Sequence, residues 1–383
     1  MRRSCASGSG ASVSDWARGK LRDIAVPKGL VGGPFGSSLG GKDYVADGVP
    51  VIRGVNLASA GFFDSSAFVF VTPAKAESLR GNQARPGDVV FTQRGTLGQV
   101  GIVPPGRERY VISQSQMRLR VDPARADPRF VYYQFRSAAM VDTIRSSAIT
   151  TGVPHINLGI LGSLPIVIPP LETQTAIADT LAALDDKIAA NDKASQIAHD
   201  LAAAEFVRAN EEAARDCVLG DVLDLAYGRA LPAAKRRPGP VPVFGSGGVC
   251  GTHDKPLVPG PGVIVGRKGT IGSVYWSPTG FHPIDTTYFV RLKDQDMTFP
   301  YAYLMLVKLG LSGMNQDSAV PGLNRSRALA VPIQLPAAGR IAEFTERVRP
   351  LLALRDQLAE ENVSLSELRD YLLPRLLSGA LRP

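Results

Sequence analysis

The sequence predicts an α+β protein in which one plan is used twice: two similar, mostly-β globules, each followed by a long helix. Three observations carry this expectation. Segments recur in the same order along the 383 residues. Short runs rich in β-branched residues, broken by Gly, Pro and Asp, precede each helix. Each helical stretch then spaces its apolar residues as a coiled-coil seam does.

The first 14 residues, which carry Arg2 and Arg3 but no apolar run, read as a flexible tail rather than a leader. The first globule is expected over residues 15–170, with strands in PVIRGV, FVFVT, DVVFTQR, GQVGIV and YVISQSQMRLRV. A helix is expected over 171–215, where Ile177, Leu181, Leu184 and Ile188 fall at spacings of 4, 3 and 4. Pro170 suits its first turn, and Glu172 favours the positive end of its dipole. Ala194, Ile197, Leu201 and Ala204 continue the stripe, giving a rod of roughly 65 Å at 1.5 Å per residue. The second globule is expected over 216–336, with strands in VPVFGS, GVIVGR, SVYWS and TTYFVRL. The last region, 337–383, carries Ile341, Phe344, Val348, Leu351, Leu358, Leu365, Leu368 and Leu372 as a second seam. Pro350 should kink or divide that helix, and Pro374 should end or bend it.

The repeat is explicit in the residues. RGTLGQV at 94–100 returns as KGTIGSV at 268–274, an offset of 174. VPHINLGILGSLPIVIP at 153–169 returns as VPGLNRSRALAVPIQLP at 320–336, an offset of 167. Weaker echoes pair LRDI at 21–24 with LGDV at 219–222, and VPVI at 49–52 with VPVF at 241–244. Offsets that shrink along the chain mean a second copy shortened by loop deletions.

Composition narrows the chemistry. Hydrophobic residues at 44% and charged ones at 20% exclude a wholly disordered or fibrous chain. Lys+Arg 43 against Asp+Glu 35 leaves +8, which favours a polyanionic partner. Cys5, Cys217 and Cys250 are too scattered for a disulfide framework or a zinc cluster, and the four histidines lack ligand spacing. Reduced thiols, the absence of any apolar run near the roughly 20 residues of a membrane span, and no membrane partner point to a soluble, cytoplasmic protein.

Gly36, Gly41 and Lys42 satisfy GxxxxGK, but Asp43 stands where Ser or Thr would hold magnesium, and no helix pattern follows. Asp185-Asp186-Lys187 resembles the end of a nuclease metal site, yet on the expected helix a charged outer face is the plainer reading. No methyltransferase tetrapeptide or cofactor turn is present, so catalysis by this chain alone is not expected. The two basic turns are more informative. Arg94 and Lys268 each adjoin paired glycines, whose backbone amides can approach an anion, and Gln93 adds a side chain suited to a base edge. A tight hairpin with an incidental cation is the alternative. Asn157 and Asn324 can read a base or cap a turn, with His155 and Arg325 beside them. Lys235, Arg236 and Arg237 form a basic run in a Pro-rich loop.

GPFGSSL at 33–39, DYVADGVPVIRG at 43–54, DVVFTQRGTLG at 88–98, the block at 153–191 and LSELRDYLLPRLLSGAL at 365–381 together resemble the DNA specificity (S) subunit of type I restriction–modification systems. The resemblance covers nearly all of residues 15–383. It implies two target-recognition domains separated by two long antiparallel coiled-coil helices, each domain reading one half of a bipartite target in double-stranded DNA. It implies docking of two modification subunits that carry S-adenosylmethionine and methylate adenine. Restriction subunits join in complexes that also use ATP and magnesium for translocation and cleavage. No cofactor is expected on this chain, and it is expected to be non-catalytic. The DNA-contacting residues expected are Ser37, Lys42, Tyr44, Arg53, Gln93, Arg94, His155 and Asn157 in the first copy. In the second they are Lys235, Arg236, Arg267, Lys268, Asn324 and Arg325. The second copy departs from the pattern: AYGRALPAAKRRPG at 226–239 replaces an obvious GPFGS segment. Alternatives are the recognition subunit of a related system with a fused methyltransferase–nuclease partner, a stand-alone DNA-modifying enzyme, and a coiled-coil scaffold without DNA affinity.

Overall fold

The computed structural model describes residues 16–57, 62–314 and 322–383. The tail at 1–14, Cys5, and the Val320 and Pro321 members of the repeat lie outside the described residues. The chain divides into two compact units, one of residues up to Ala190 together with Asn362–Pro383, the other Asn191–Glu361.

Each unit repeats the same sheets. In the first, Ala17–Lys20 pairs with Pro165–Ile168, and in the second Arg215–Val218 pairs with Pro332–Leu335, closing each repeat by joining its start to its end. A four-stranded antiparallel sheet follows. Its order is Ala25–Gly32, Gln116–Val121, Val89–Thr92, Val100–Ile102 in the first unit. In the second it is Leu223–Tyr227, Thr287–Leu292, Gly262–Gly266, Val274–Ser277, which is the same topology. Val89–Thr92 and Gly262–Gly266 are buried at every residue, which explains their unbroken apolar sequences.

A third sheet contains a parallel pair in both units, Val49–Ile52 with Tyr110–Ile112 and Val241–Gly245 with His282–Pro283. Here the copies diverge. Tyr44–Val45, Val69–Val71 and Gln83–Ala84 widen the first to five strands, whereas only Gly248–His253 is added in the second. Val69–Val71 and Gln83–Ala84, which have no counterpart in the second unit, lie in the stretch where the offset drops between VPVI/VPVF and the basic turns. Capped helices cover the sheets: Asp127 accepts from the Arg129 amide to start Pro128–Arg136, and Thr298 accepts from the Tyr301 amide to start Phe299–Leu309.

The two long helices are Leu171–Ala209, of 39 residues, and Ala338–Ser378, of 41. Both cross the unit boundary, so each contributes one stretch to each unit. In the first unit Ile177 and Leu181 share a core with Leu376 and Leu377, while Asp185 meets Arg369 at 2.8 Å, so the halves run antiparallel. In the second, Phe206 and Ala209 share a core with Ile341 and Phe344, again antiparallel.

Several helix expectations need correction. The first helix ends at Ala209, not 215, because the strand Arg215–Val218 claims the following backbone. Pro350 does not divide the second helix; Val348 and Leu352 are buried on either side and hold it through the missing hydrogen bond. Pro374 likewise lies inside the helix, which ends at Ser378 before Gly379 turns at φ 73°. Ile177, Leu181, Ile188 and Leu358 are buried, and Leu184, Leu365 and Leu372 half-buried, but Leu368 is 45% exposed. Arg369 takes the inward position instead, drawn by Asp185. Ile197 and Leu201 are 51% and 52% exposed, and their small neighbours Ala198 and Ala202 face the core. Asp185 itself is buried, not on a charged outer face: it accepts from the Tyr133 hydroxyl at 2.9 Å as well as from Arg369.

Candidate nucleic-acid interface

The RGTLG turn joins Val89–Thr92 to Val100–Ile102, and the KGTIG turn joins Gly262–Gly266 to Val274–Ser277. The two are built alike. Gly95 and Gly98 adopt φ of 96° and 93°, Gly269 and Gly272 of 81° and 71°. Leu97 donates its amide to Gly95 O and Ile271 to Gly269 O, both at 2.9 Å. Leu97 and Ile271 anchor the turns in the core, leaving Arg94 and Thr96, or Lys268 and Thr270, at the exposed tip. Among the described residues neither Arg94 nor Lys268 forms an ion pair, so both charges are available to an anion.

Backbone hydrogen bonds gather other loops to these turns. In the first unit Gln93 N donates to Ser115 O at 2.7 Å, Ile156 N to Gln93 O at 2.9 Å, and Arg94 bridges to His155. The same 113–116 stretch holds the GPFGSS loop. Gly33 N donates to Gln116 O at 2.9 Å, and the Gln114 side chain donates to Leu39 O at 2.6 Å and also to Gly36 O. Ser37, Gln93, Arg94, His155 and Asn157 therefore sit on loops tied into one rim. In the second unit Arg267 N donates to Thr286 O and Leu323 N to Arg267 O, both at 2.9 Å, reproducing the arrangement.

The remaining predicted residues divide by what already holds them. Lys42 and Lys235 are exposed and form no ion pair among the described residues. Beside Lys42, Asp43 is bound to Lys75 at 3.0 Å, which holds its carboxyl below the usual range. Tyr44 is half-buried against the Val49/Val51/Val71 core. Arg53 folds back onto Ala67 O at 2.6 Å. Arg236 donates to Cys250 O at 2.6 Å, and Arg237 pairs with Asp254 at 2.8 Å, keeping that carboxyl low.

Arg267 donates to Asp285 O at 2.9 Å and lies over Tyr227 and Tyr288 at 5.4 and 5.9 Å from their centroids. Burial pushes the Tyr288 hydroxyl up to about 12. Arg325 donates to Leu225 O at 2.8 Å and pairs with Asp224, fastening its helix to the sheet. Asn157 and Asn324 cap the short helices Leu158–Ser163 and Arg325–Leu329, accepting from Ile160 N at 2.8 Å and Arg327 N at 3.0 Å.

Two features escaped the sequence reading. Gly228 is the counterpart of Gly33: its amide donates to Thr287 O at 3.1 Å, and a Cβ on either glycine would fall 2.1 Å from a carbonyl oxygen, Ile284 or Ser113. The second copy thus keeps the close-packed glycine that opens the GPFGS loop without the residues around it, leaving no string to match. Phe35, inside that loop, is 94% exposed. Its position between Pro34 and Gly36 was the available signal. Among the described residues no group of three or more His, Cys, Asp or Glu side chains is placed to hold a metal, and no helix is long and apolar enough to cross a membrane.

Comparison with known proteins bears on this duplicated rim. No curated protein matches the sequence. The S subunit of a type I restriction–modification system from M. genitalium aligns over 94% of this chain and 96% of its own, at 18% identity and a TM-score of 0.68, and so shares the fold. The HsdS subunit from Thermoanaerobacter tengcongensis aligns over 96% and 97% at 17% identity with a TM-score of 0.37. The family model for the type I restriction modification DNA specificity domain matches residues 50–198 and again 215–361. Those two segments take in both parallel strand pairs, both basic turns and both capped asparagines, and with them the chain belongs to the type I restriction modification DNA specificity family, carrying its domain twice.

Proposed function

We propose that this DNA specificity subunit reads a bipartite duplex target, one half with each domain, and leaves the chemistry to its partners. The observation that carries the reading is the pair of basic turns: the same glycine conformations and amide hydrogen bonds, but different side chains around them. A common backbone with distinct polar residues suits two heads that approach DNA alike and read different bases. In the mechanism, Arg94, Lys268, Lys42 and Lys235 engage phosphates, a step weakened by salt. Gln93, His155 and Ser37 on the first rim then reach base edges. Arg53, Arg267 and Arg325 position the loops from behind, through the carbonyls they already bind.

Docking is assigned to the long helices. Ile197 and Leu201 in one unit, and Leu368 and Tyr371 in the other, are large apolar side chains left exposed. Leu201 and Leu368 stand 167 positions apart, the offset that relates Asn157 to Asn324. An exposed leucine repeated at that offset suits two copies of one partner, the modification subunit. S-adenosylmethionine, and ATP and magnesium where restriction subunits join, reside on those partners.

The test uses the chain assembled with its modification subunit. Mapping adenine methylation in cells with and without the chain defines the target. Methyl transfer to a duplex with both halves intact should exceed transfer to duplexes with either half scrambled by at least a hundredfold. Equal transfer to a duplex with one half scrambled would reject the bipartite reading.

A further inference from the structure

Phe35 presents an aromatic ring to solvent from a loop that is held on both sides. Ahead of it, Gly33 is pressed so closely on Ser113 that no Cβ would fit, and the Asn82 side chain donates to Gly32 O at 2.8 Å. Pro34 is buried. Behind it, Gly36 turns at φ 56°, Gln114 grips Gly36 O and Leu39 O, and Leu39 is buried. A floppy segment could hide its ring against the surface; this loop is fixed with the ring outward. The ordering cost is therefore already met before any ligand arrives. The same 113–116 stretch binds the backbone of Gln93, next to the exposed Arg94, so the ring belongs to that rim.

We infer that Phe35 stacks on bases of the half-site read by the first domain, as a wedge in the duplex. The inference rests on the DNA-reading role proposed above. An apolar ring set among phosphate-seeking cations matches the chemistry by which aromatic side chains enter and unstack base steps. The second domain lacks the device. Counting from Gly228, the counterpart of Gly33, the residue at the position of Phe35 is Ala230. A ring at this position is thus confined to the first domain.

The test compares the full chain with Phe35→Ala and Phe35→Trp, each assembled with the modification subunit, on the methylated target duplex and a scrambled duplex. Because the ring is exposed, neither change should disturb folding. Phe35→Ala should weaken target binding at least tenfold and leave scrambled-duplex binding unchanged. Phe35→Trp should keep target binding, and its emission, after subtraction of Trp16 and Trp276 in the parent, should be quenched by the target and not by the scrambled duplex. Parental affinity in Phe35→Ala, or an unquenched Trp at 35, would overturn the inference. So would a loss of modification-subunit assembly with DNA binding intact, which would make the ring a protein contact. A parent chain with no preference for the target would instead reject the DNA-reading role itself, before any substitution is considered.

Discussion

Gly95 and Gly272 both hold a positive φ in the basic turns, but their surroundings make them unequal. A Cβ on Gly95 would meet nothing within 4 Å, whereas on Gly272 it would lie 2.3 Å from Ser312 N. Gly95→Ala should therefore cost only the left-handed backbone term, about 1–2 kcal/mol. Gly272→Ala should cost roughly 3 kcal/mol or more, because backbone must move. Urea unfolding of the two variants checks the order. A second residue carries a pH signature. Burial raises the Asp356 carboxyl above 3.8, although Trp276 Nε1 donates to it at 3.0 Å. A folded state that holds this proton more tightly is favoured at low pH and loses that advantage as pH rises from 3.8 through the raised value. Asp356→Asn keeps the acceptor and removes the buried charge. Its gain in unfolding free energy over the parent should be larger at pH 7 than at pH 4, and an equal gain at both would contradict the raised carboxyl.

The helices show what periodicity can and cannot reveal. Their existence, their order and much of their seam follow from spacing alone, as Ile177, Leu181 and Ile188 demonstrate. The face of the continuation does not. Hydrophobicity favours Ile197 and Leu201, yet Ala198 and Ala202 face the core because small residues allow close packing and the larger ones remain outside. Asp185 is a related case: local pattern puts a carboxylate on the outer face, and only Tyr133 and Arg369, 52 and 184 positions away, bring it inside. Those three groups form a buried network whose members depend on one another. Asp185→Ala should destabilise by about 2–3 kcal/mol, since it strands the Tyr133 hydroxyl and leaves the Arg369 guanidinium with Asp370 alone. Joint replacement, Asp185→Leu with Arg369→Met, should cost much less. A double-mutant cycle by urea unfolding measures the difference.

Across the whole molecule the repeat was the most legible property, because duplication leaves register as well as likeness. Asn157 and Asn324 lie in matching sequence and prove to cap matching helices with the same hydrogen bond. Gly33 and Gly228 perform one backbone task under unlike sequences, so only coordinates could pair them. The arginines were legible as cations but not as occupied ones: carbonyls of distant strands and loops claim Arg267 and Arg325. Duplication also governs the stoichiometry we propose. Leu201→Asp or Leu368→Asp alone should reduce bound modification subunits from two to one, and the pair should abolish assembly, as read by native mass spectrometry.

The most direct test takes Arg94→Glu and Lys268→Glu as separate variants, each repelling one domain's rim from the phosphates of its half-site, and scores how much base identity each half of the methylated target still requires. If each domain reads its own half, the first variant relaxes one half, the second relaxes the other, and the untouched half keeps its full stringency. Equal relaxation of both halves by either variant, or none by both, would contradict the account.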